Sequence, residues 1–418
     1  MSVEPSWGNP ARWRLQAIAS FPSLIVGVFM AGESDSLAAE NSFTEQRLSS
    51  EYHGEGAAFG DFNHDGLTDL ASGPFWYSGP DFETAQAFYP PNPKDANKNG
   101  YTNDNFLVFA EDLNRDDWDD ILVVGFPGTA AHWYENPRGG SEHWKKHLVL
   151  KQVGNESPLL APLNQEGPSE LICISDGKFG YAEQSPDAPT KPWTFNAISE
   201  TSPAGPFTHG LGVGDINGDE RPDVLTKDGW FQQPEDITHG KAWAFHRFEW
   251  IPSRRVPFPG GAQIYAYDVD GDHDSDLIMS LSAHAYGLAW FEQTVLNGKT
   301  VFRQHTLMNQ SGESTLGEPL FSQLHAVQLA DLDGDGLKDI ITGKCRFAHG
   351  PAGDPDPQGD PVLYCFKLQR QAQGVSFAPQ KISATAGAGR QIAIADANQD
   401  GRLDIAIGNK VGTTLLSQ

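Results

Sequence analysis

The sequence predicts an all-β fold, a seven-bladed β-propeller, and three observations predict it. First, one acidic nonapeptide starts seven times, at residues 61, 112, 162, 215, 268, 331 and 396. The spacings of 50 to 65 residues hold enough chain for one four-stranded blade each. Second, Gly 44 and Pro 29 are plentiful and long helical-period stretches are missing, which favours many short strands joined by turns. Third, only two strands, Leu403 to Gly408 and Thr413 to Leu416, follow the last acidic loop. Phe43 to Leu48 has the wording of the missing outer strand. The N-terminal strand is therefore expected to complete the seventh blade and close the ring, leaving no unpaired inner edge.

Residues 1–38 read as a signal peptide. Arg12 and Arg14 precede an uncharged, mostly apolar stretch from Leu15 to Met30, and small residues at Ser36 and Ala38 suit cleavage after Ala38, with Ala39 the alternative. The stretch is short for a span of about 20 apolar residues, and Gln16, Ser20, Pro22 and Ser23 weaken it further. An uncleaved anchor is the alternative. No second apolar run follows, so the expectation is an exported protein, periplasmic or secreted, without a membrane span after cleavage.

Residues 43–418 carry the repeats. The strong copies begin Asp61-Phe-Asn63-His-Asp65-Gly66, Asp112-Leu-Asn114-Arg-Asp116-Asp117 and Asp215-Ile-Asn217-Gly-Asp219-Glu220. The others begin Asp268-Val-Asp270-Gly-Asp272-His273, Asp331-Leu-Asp333-Gly-Asp335-Gly336 and Asp396-Ala-Asn398-Gln-Asp400-Gly401. Each ends on an Asp at position nine: Asp69, Asp120, Asp223, Asp276, Asp339 or Asp404. The copy at Pro162 has lost its first Asp. In each unit an Ala/Gly-rich strand enters the loop, a β-branched strand leaves it, and an aromatic strand follows, as in Trp76-Tyr77, Trp133-Tyr134, Trp230-Phe231 and Trp290-Phe291. These pairs read as core between blades.

The six strong copies resemble the FG-GAP or VCBS repeat, found in the integrin α-subunit head propeller and in many exported bacterial proteins. The resemblance covers residues 43–418. It implies the propeller fold. Members of that family include adhesion modules, and some bacterial seven-bladed propellers are polysaccharide lyases.

The loop spacing places oxygen side chains at alternate positions of a tight turn, where they converge on one hard cation. Oxygen-only ligands suit Ca²⁺ better than zinc or copper. Position twelve is never Glu and a strand follows, so this is a strand-loop-strand site and not an EF-hand. About six structural Ca²⁺ ions are expected, on positions one, three, five and nine of each strong copy, with a backbone carbonyl at position seven. The alternative is an ordinary polar turn. Position six needs a positive φ, so Asp117, Glu220 and His273 are expected to carry some strain there. Asp95 to Gly100 has the spacing but too few carboxylates.

Aligning the repeats puts the residues six before each loop start at one mouth of the propeller: Glu55, Phe106, Glu156, His209, Ala262, His325 and Arg390. Adjoining turns add Lys178, Lys227, His284, Tyr286, Lys344, Arg346, His349 and Lys410. Glu55, Glu156, Lys178, His209, Lys344 and Arg390 are the expected ligand-binding residues. A cationic, imidazole-rich funnel in an acidic chain attracts an anion such as a uronate polysaccharide. His284, Tyr286, His325 and Arg346 supply the types needed for β-elimination: a cation for the carboxylate and groups that move protons. The plain alternative is a polar surface produced by any repeat, and a third reading is a structural or adhesive module. No serine-nucleophile elbow, His-Glu-x-x-His helix, phosphate loop or dinucleotide fingerprint is present.

The formal charge of −26 argues against nucleic acid and an anionic membrane as partners. A monomer that binds a carbohydrate or an extracellular protein is the expectation. Twenty of the 55 acidic side chains stand at loop ligand positions, and six divalent ions would leave −14. The three cysteines make no disulfide framework. Cys345 and Cys365 flank one hairpin and could pair, but small buried apolar roles are the simpler reading.

Overall fold

In all six strong acidic loops the residue at position six has a positive φ: Gly66 81°, Asp117 67°, Glu220 65°, His273 77°, Gly336 89° and Gly401 86°. Position four does too, at His64, Arg115, Gly218, Gly271, Gly334 and Gln399. Two left-handed residues reverse the chain within one turn, which is why a strand ends and another begins on either side.

The computed structural model describes residues 42–96, 104–140, 142–163, 168–200, 205–237, 240–251, 258–313 and 317–418. The expected signal peptide, most of Asp95 to Gly100 and the centre of the decayed repeat lie outside them. Asn41–Gln418 form one compact unit. The described residues are all β, with no helix among them, and so none long and apolar enough to cross a membrane.

The strands are β1 (Thr44–Ser49), β2 (Ala57–Gly60), β3 (Asp69–Ser72), β4 (Phe75–Ser78), β5 (Thr84–Ala87), β6 (Leu107–Glu111), β7 (Asp120–Val124), β8 (Thr129–Glu135) and β9 (Lys145–Ala161). There follow β10 (Glu170–Ser175), β11 (Lys178–Glu183), β12 (Thr194–Ala197), β13 (Leu211–Gly214), β14 (Asp223–Thr226), β15 (Gly229–Gln232), β16 (Ala244–Arg247), β17 (Trp250–Ile251), β18 (Tyr265–Tyr267), β19 (Asp276–Ser280) and β20 (Leu288–Leu296). The last are β21 (Lys299–Met308), β22 (Val327–Ala330), β23 (Asp339–Gly343), β24 (Leu363–Gln371), β25 (Gly374–Ser383), β26 (Ala393–Ala395), β27 (Asp404–Asn409) and β28 (Gly412–Ser417).

Consecutive strands pair antiparallel, giving sheets β2 to β5, β13 to β16, β18 to β21 and β22 to β25. β17 adds to β21 in parallel. The long β9 serves two sets. Its first part pairs with β8 from Glu135↔Lys145 to Thr129↔Val153, and its second part with β10 from Ile174↔Gly154 to Glu170↔Ala161. Asn155, at φ 77°, marks the change, and the result is one seven-stranded sheet from β6 to β12. β1 pairs antiparallel with β28, beside β27 and β26, in the register Thr44↔Ser417 to Ser49↔Thr413.

The core lies between these sets. Trp76 packs toward β6 to β8 while Tyr77, one residue on, packs toward β26 to β28 with Ala397, Ala406 and Leu415. Trp133 and Tyr134 likewise split between two clusters, as do Trp290 and Phe291. Alternation along a strand thus fills both of its faces, and each buried aromatic contributes roughly 2 kcal/mol. Three Trp faces are stacked by an outer-strand imidazole: Trp133 on His147, Trp230 on His246 and Trp290 on His305, with centroids 4.5, 4.9 and 4.2 Å apart. Each imidazole bonds the acid or amide two residues after its Trp, at 2.8 to 3.0 Å.

Inner strands of neighbouring sets approach too closely for side chains. A Cβ on Gly212 would stand 1.9 Å from the Ile264 carbonyl oxygen, and the Ile264 amide donates to Leu211 O at 2.9 Å. A cavity of about 230 Å³ is lined by residues of β6, β9, β13, β18, β22 and their neighbours, with the Gln263, Gln328 and Gln391 amides among them. Gln263 donates to Arg390 O and accepts from the Val327 amide, while Gln391 bonds both ways with Val108.

Cys173, Cys345 and Cys365 are free and at most 1 % exposed. Cys345 and Cys365 do not form the pair that their flanking positions allowed.

Candidate functional site

The acidic loops divide their labour. Position nine is buried in all six strong copies, at most 1 % exposed. One oxygen accepts from the position-two amide and the other from an amide in or just after the third strand, as Asp223 does from Ile216 at 3.4 Å and Gln233 at 2.9 Å. Asp69, Asp120, Asp276, Asp339 and Asp404 repeat this. Even the decayed copy keeps it, since Glu170 accepts from Leu163. Position nine is therefore a brace between loop and sheet, a role the spacing alone did not separate from ligation. Burial pushes Asp69, Asp223 and Asp339 up to about 6, Asp276 to about 7 and Asp120 to about 8.

Positions one, three and five face outward. In five copies the position-one carboxylate accepts from the amides of positions five and six, as at Asp61, Asp112, Asp215, Asp331 and Asp396. Asp268, Asp270 and Asp272 bring their oxygens within 4.8 Å of one another, and so do Asp331, Asp333 and Asp335. Asn63, Asn114, Asn217 and Asn398 take the middle place in the other copies. These donors fit a hard cation. Arginines offset part of the charge: Arg138 meets Asp116, Arg221 meets Asp219 and Arg402 meets Asp400.

A second cluster gathers residues from four units. Glu156 comes from β9, His209 from just before β13, His284 from the β19 to β20 turn and His325 from just before β22. Glu156 Oε2 lies 3.3 Å from His209 Nε2 and 3.6 Å from His325 Nδ1. His209 Nε2 lies 3.1 Å from His284 Nε2. The ring centroids of the three histidines are 4.7 to 5.6 Å apart. Burial, then the charges of His209 and Arg390, pushes His284 down to about 4, and burial with Arg390 puts His325 well below the usual range. Burial alone would raise Glu156, but the His209 bond and the Arg390 charge outweigh it and hold its carboxyl below the usual range.

His349 stacks on His284, centroids 4.5 Å apart, and bonds Asp354 Oδ1 at 2.8 Å. Asp354 Oδ1 also stands 3.7 Å from His284 Nδ1. Asp354 was not singled out in the sequence. It lies in the long segment between β23 and β24, within the longest of the six spacings, where the repeat alignment has no counterpart.

The other expected site residues divide. Arg390 is fully buried, its amide donates to Glu55 O, and its guanidinium lies over Phe106. Glu55 is fully buried too, held by Tyr52 OH at 2.6 Å and by the Lys410 ammonium. Lys344, 1 % exposed, donates to Ser322 Oγ at 2.8 Å and Asp356 O at 2.6 Å. Glu55 and Lys344 are spent inside the fold and are not presented to solvent. Lys178 begins β11 in the tight turn after Ser175. Tyr286 packs at the Gly312 turn, and Arg346 lies over the Phe347 ring.

A cleft of about 920 Å³ has His209 among its lining residues, with Thr208, Lys227, Arg247 and the rings of Phe179, Phe231, Trp243 and Phe245. Phe245 is 41 % exposed. Lys227 turns back to Asp228 at 3.0 Å.

No protein-family model and no curated protein matches the chain. Among solved structures, YCF48 from Cyanidioschyzon merolae is similar at 11 % identity with a TM-score of 0.45, covering 90 % of this chain and 98 % of that one. The rhamnogalacturonan lyase YesW is similar at 11 % identity with a TM-score of 0.41, covering 90 % of this chain and 72 % of that one. Neither value assigns a function here.

Proposed function

We propose that residues 43–418 form an exported, monomeric, seven-bladed propeller of the FG-GAP or VCBS type, carrying calcium in six loops, that binds an acidic carbohydrate at its mouth. The ring is supported by seven hydrophobic clusters, each joining consecutive strand sets, the last of them joining β2 to β4 with β26 to β28. Calcium is supported by the converging oxygens of the loops.

The observation that carries the binding role is the cleft beside His209. Its volume of about 920 Å³ suits several sugar rings, its aromatic faces suit their C–H faces, and Thr208, His209, Lys227 and Arg247 supply polar groups to fix orientation. A concave cleft of this kind favours a carbohydrate over a protein surface. His284 and His325, in contact with His209 and Glu156, also support β-elimination, in which one imidazole takes the proton of the carbon bearing the carboxylate, that C–H pair forms the new double bond, and the glycosidic C–O bond on the next carbon breaks with its oxygen leaving protonated.

The test is binding of the full mature chain to polygalacturonate, alginate and rhamnogalacturonan, with dextran as neutral control. Binding to an acidic polysaccharide that weakens with salt, and falls at least about tenfold in Arg247→Ala, is expected. Retention of none of them contradicts the reading. Ultraviolet absorbance of new unsaturated ends in the same mixtures decides the lyase reading.

A further inference from the structure

We propose that Glu156, His209, His284 and His325 bind one divalent transition-metal ion of the zinc class, separate from the calcium loops. This deepens the reading of the mouth and rests on it for the carbohydrate, whereas the metal itself rests on donor geometry.

Each of the four side chains offers one ligand atom, and these atoms all lie within 4.8 Å of one another. At metal–nitrogen distances of about 2.1 Å, two atoms of a tetrahedral shell lie about 3.4 Å apart. The observed separations of 3.3, 3.6 and 3.1 Å bracket that value. An imidazole–imidazole hydrogen bond accounts for the His209–His284 distance alone. It leaves unexplained why Glu156 Oε2 also stands 3.3 Å from that same His209 nitrogen and 3.6 Å from His325 Nδ1, so that all four groups converge.

Two more observations point to a ligand. His325 is 2 % exposed and turns Nδ1 toward Glu156 Oε2 at 3.6 Å, too far for a hydrogen bond, so the cluster-facing nitrogen of a buried imidazole stands there without bonding that carboxylate. His284 presents Nε2 to His209 and Nδ1 to Asp354, at 3.1 and 3.7 Å. A carboxylate behind the outer nitrogen of an imidazole is the usual support of a metal-bound histidine. Asp354 is thereby assigned as a positioning residue, held by the amides of Ala348 and His349 at 3.1 and 2.8 Å.

Three imidazoles and one carboxylate suit zinc and its first-row neighbours. The all-oxygen loops suit calcium. The site would hold its ion within reach of the cleft, because His209 belongs to both. A bound cation there would face the carboxylate of an acidic sugar.

The experiment uses the full mature chain, purified without chelator or polyhistidine tag and dialysed against excess calcium to occupy the loops. Elemental analysis is expected to find about one equivalent of a first-row metal per chain, and calorimetry with Zn²⁺ alone one site. His209→Ala and His284→Ala should each lower Zn²⁺ affinity at least about 100-fold, and Asp354→Asn about tenfold. Cobalt loading should give tetrahedral visible bands that change in His284→Ala while melting of the calcium-loaded protein shows the variant folded. Only traces of metal in the purified chain with no Zn²⁺ uptake, or binding that both histidine variants retain, would overturn the proposal. Carbohydrate binding is read separately. Binding that persists in metal-free protein overturns the ion's role toward the sugar while the mouth reading stands.

Discussion

His209 Nε2 and His284 Nε2 lie 3.1 Å apart although 75 residues separate them in the chain. Glu156, on a third unit, reaches His209 at 3.3 Å. Contacts of this kind tie three units through one polar cluster, so substitutions within it should not add. Glu156→Gln, His209→Ala and the double variant, unfolded in urea, are expected to show a coupling of at least about 0.5 kcal/mol. Additivity within error would mean that the groups are neighbours without interaction.

The braces and the outward loop carboxylates should separate experimentally. Asp223→Ala leaves two buried amides unpaired and is expected to cost roughly 2–4 kcal/mol with or without calcium. Asp219→Asn, at an outward position, should cost under about 0.5 kcal/mol in chelator but lose part of the calcium-dependent rise in melting temperature. Wild-type melting that EDTA leaves unchanged would refute calcium as a structural ion.

Left-handed residues at position six set a third expectation. Glu220→Gly and Asp117→Gly relieve a Cβ held at φ 65° and 67°, and each should raise stability by roughly 0.5–1 kcal/mol. Chemical denaturation with calcium present checks this. Destabilisation would show that these side chains contribute more than their strain costs.

His132 on β8 gives a pH test away from both sites. Burial, then the Lys146 charge, pushes its imidazole down to about 4. Between the ordinary value and that one, the unfolded chain binds the proton that the folded chain refuses, so stability falls as pH drops from 6.5 toward 4. The ring is only half-buried, so the loss is roughly 1 kcal/mol. Replacing His132 by Gln should flatten that limb of the pH–stability curve. An unchanged limb would mean that other histidines account for it.

Much of this was legible in the sequence because a repeat carries positional information. Aligning the units placed Glu156, His209 and His325 at equivalent strand starts, and they meet. The wording of Phe43 to Leu48 anticipated the pairing of β1 with β28. The need for a positive φ at Asp117, Glu220 and His273 followed from the loop alone. Burial was harder to read. Lys344 and Glu55 look like mouth residues until Ser322, Asp356, Tyr52 and Lys410 are seen to hold them, and those partners lie at no fixed offset. His349 was noted as a turn residue, but its stacking on His284 and bond to Asp354 arise in an insertion that the repeat does not predict. The continuity of β9 through two sets was hidden because each repeat spacing reads as a separate four-stranded set.

Amide hydrogen exchange of the protein, alone and saturated with the tightest-binding oligouronate, tests the central claim most directly. The account predicts protection at Thr208 to Leu211, Thr226 to Gly229 and the His284 turn, which surround the cleft and the histidine cluster. Protection confined to the outer strands β5, β12 and β25, with the mouth unchanged, would contradict it.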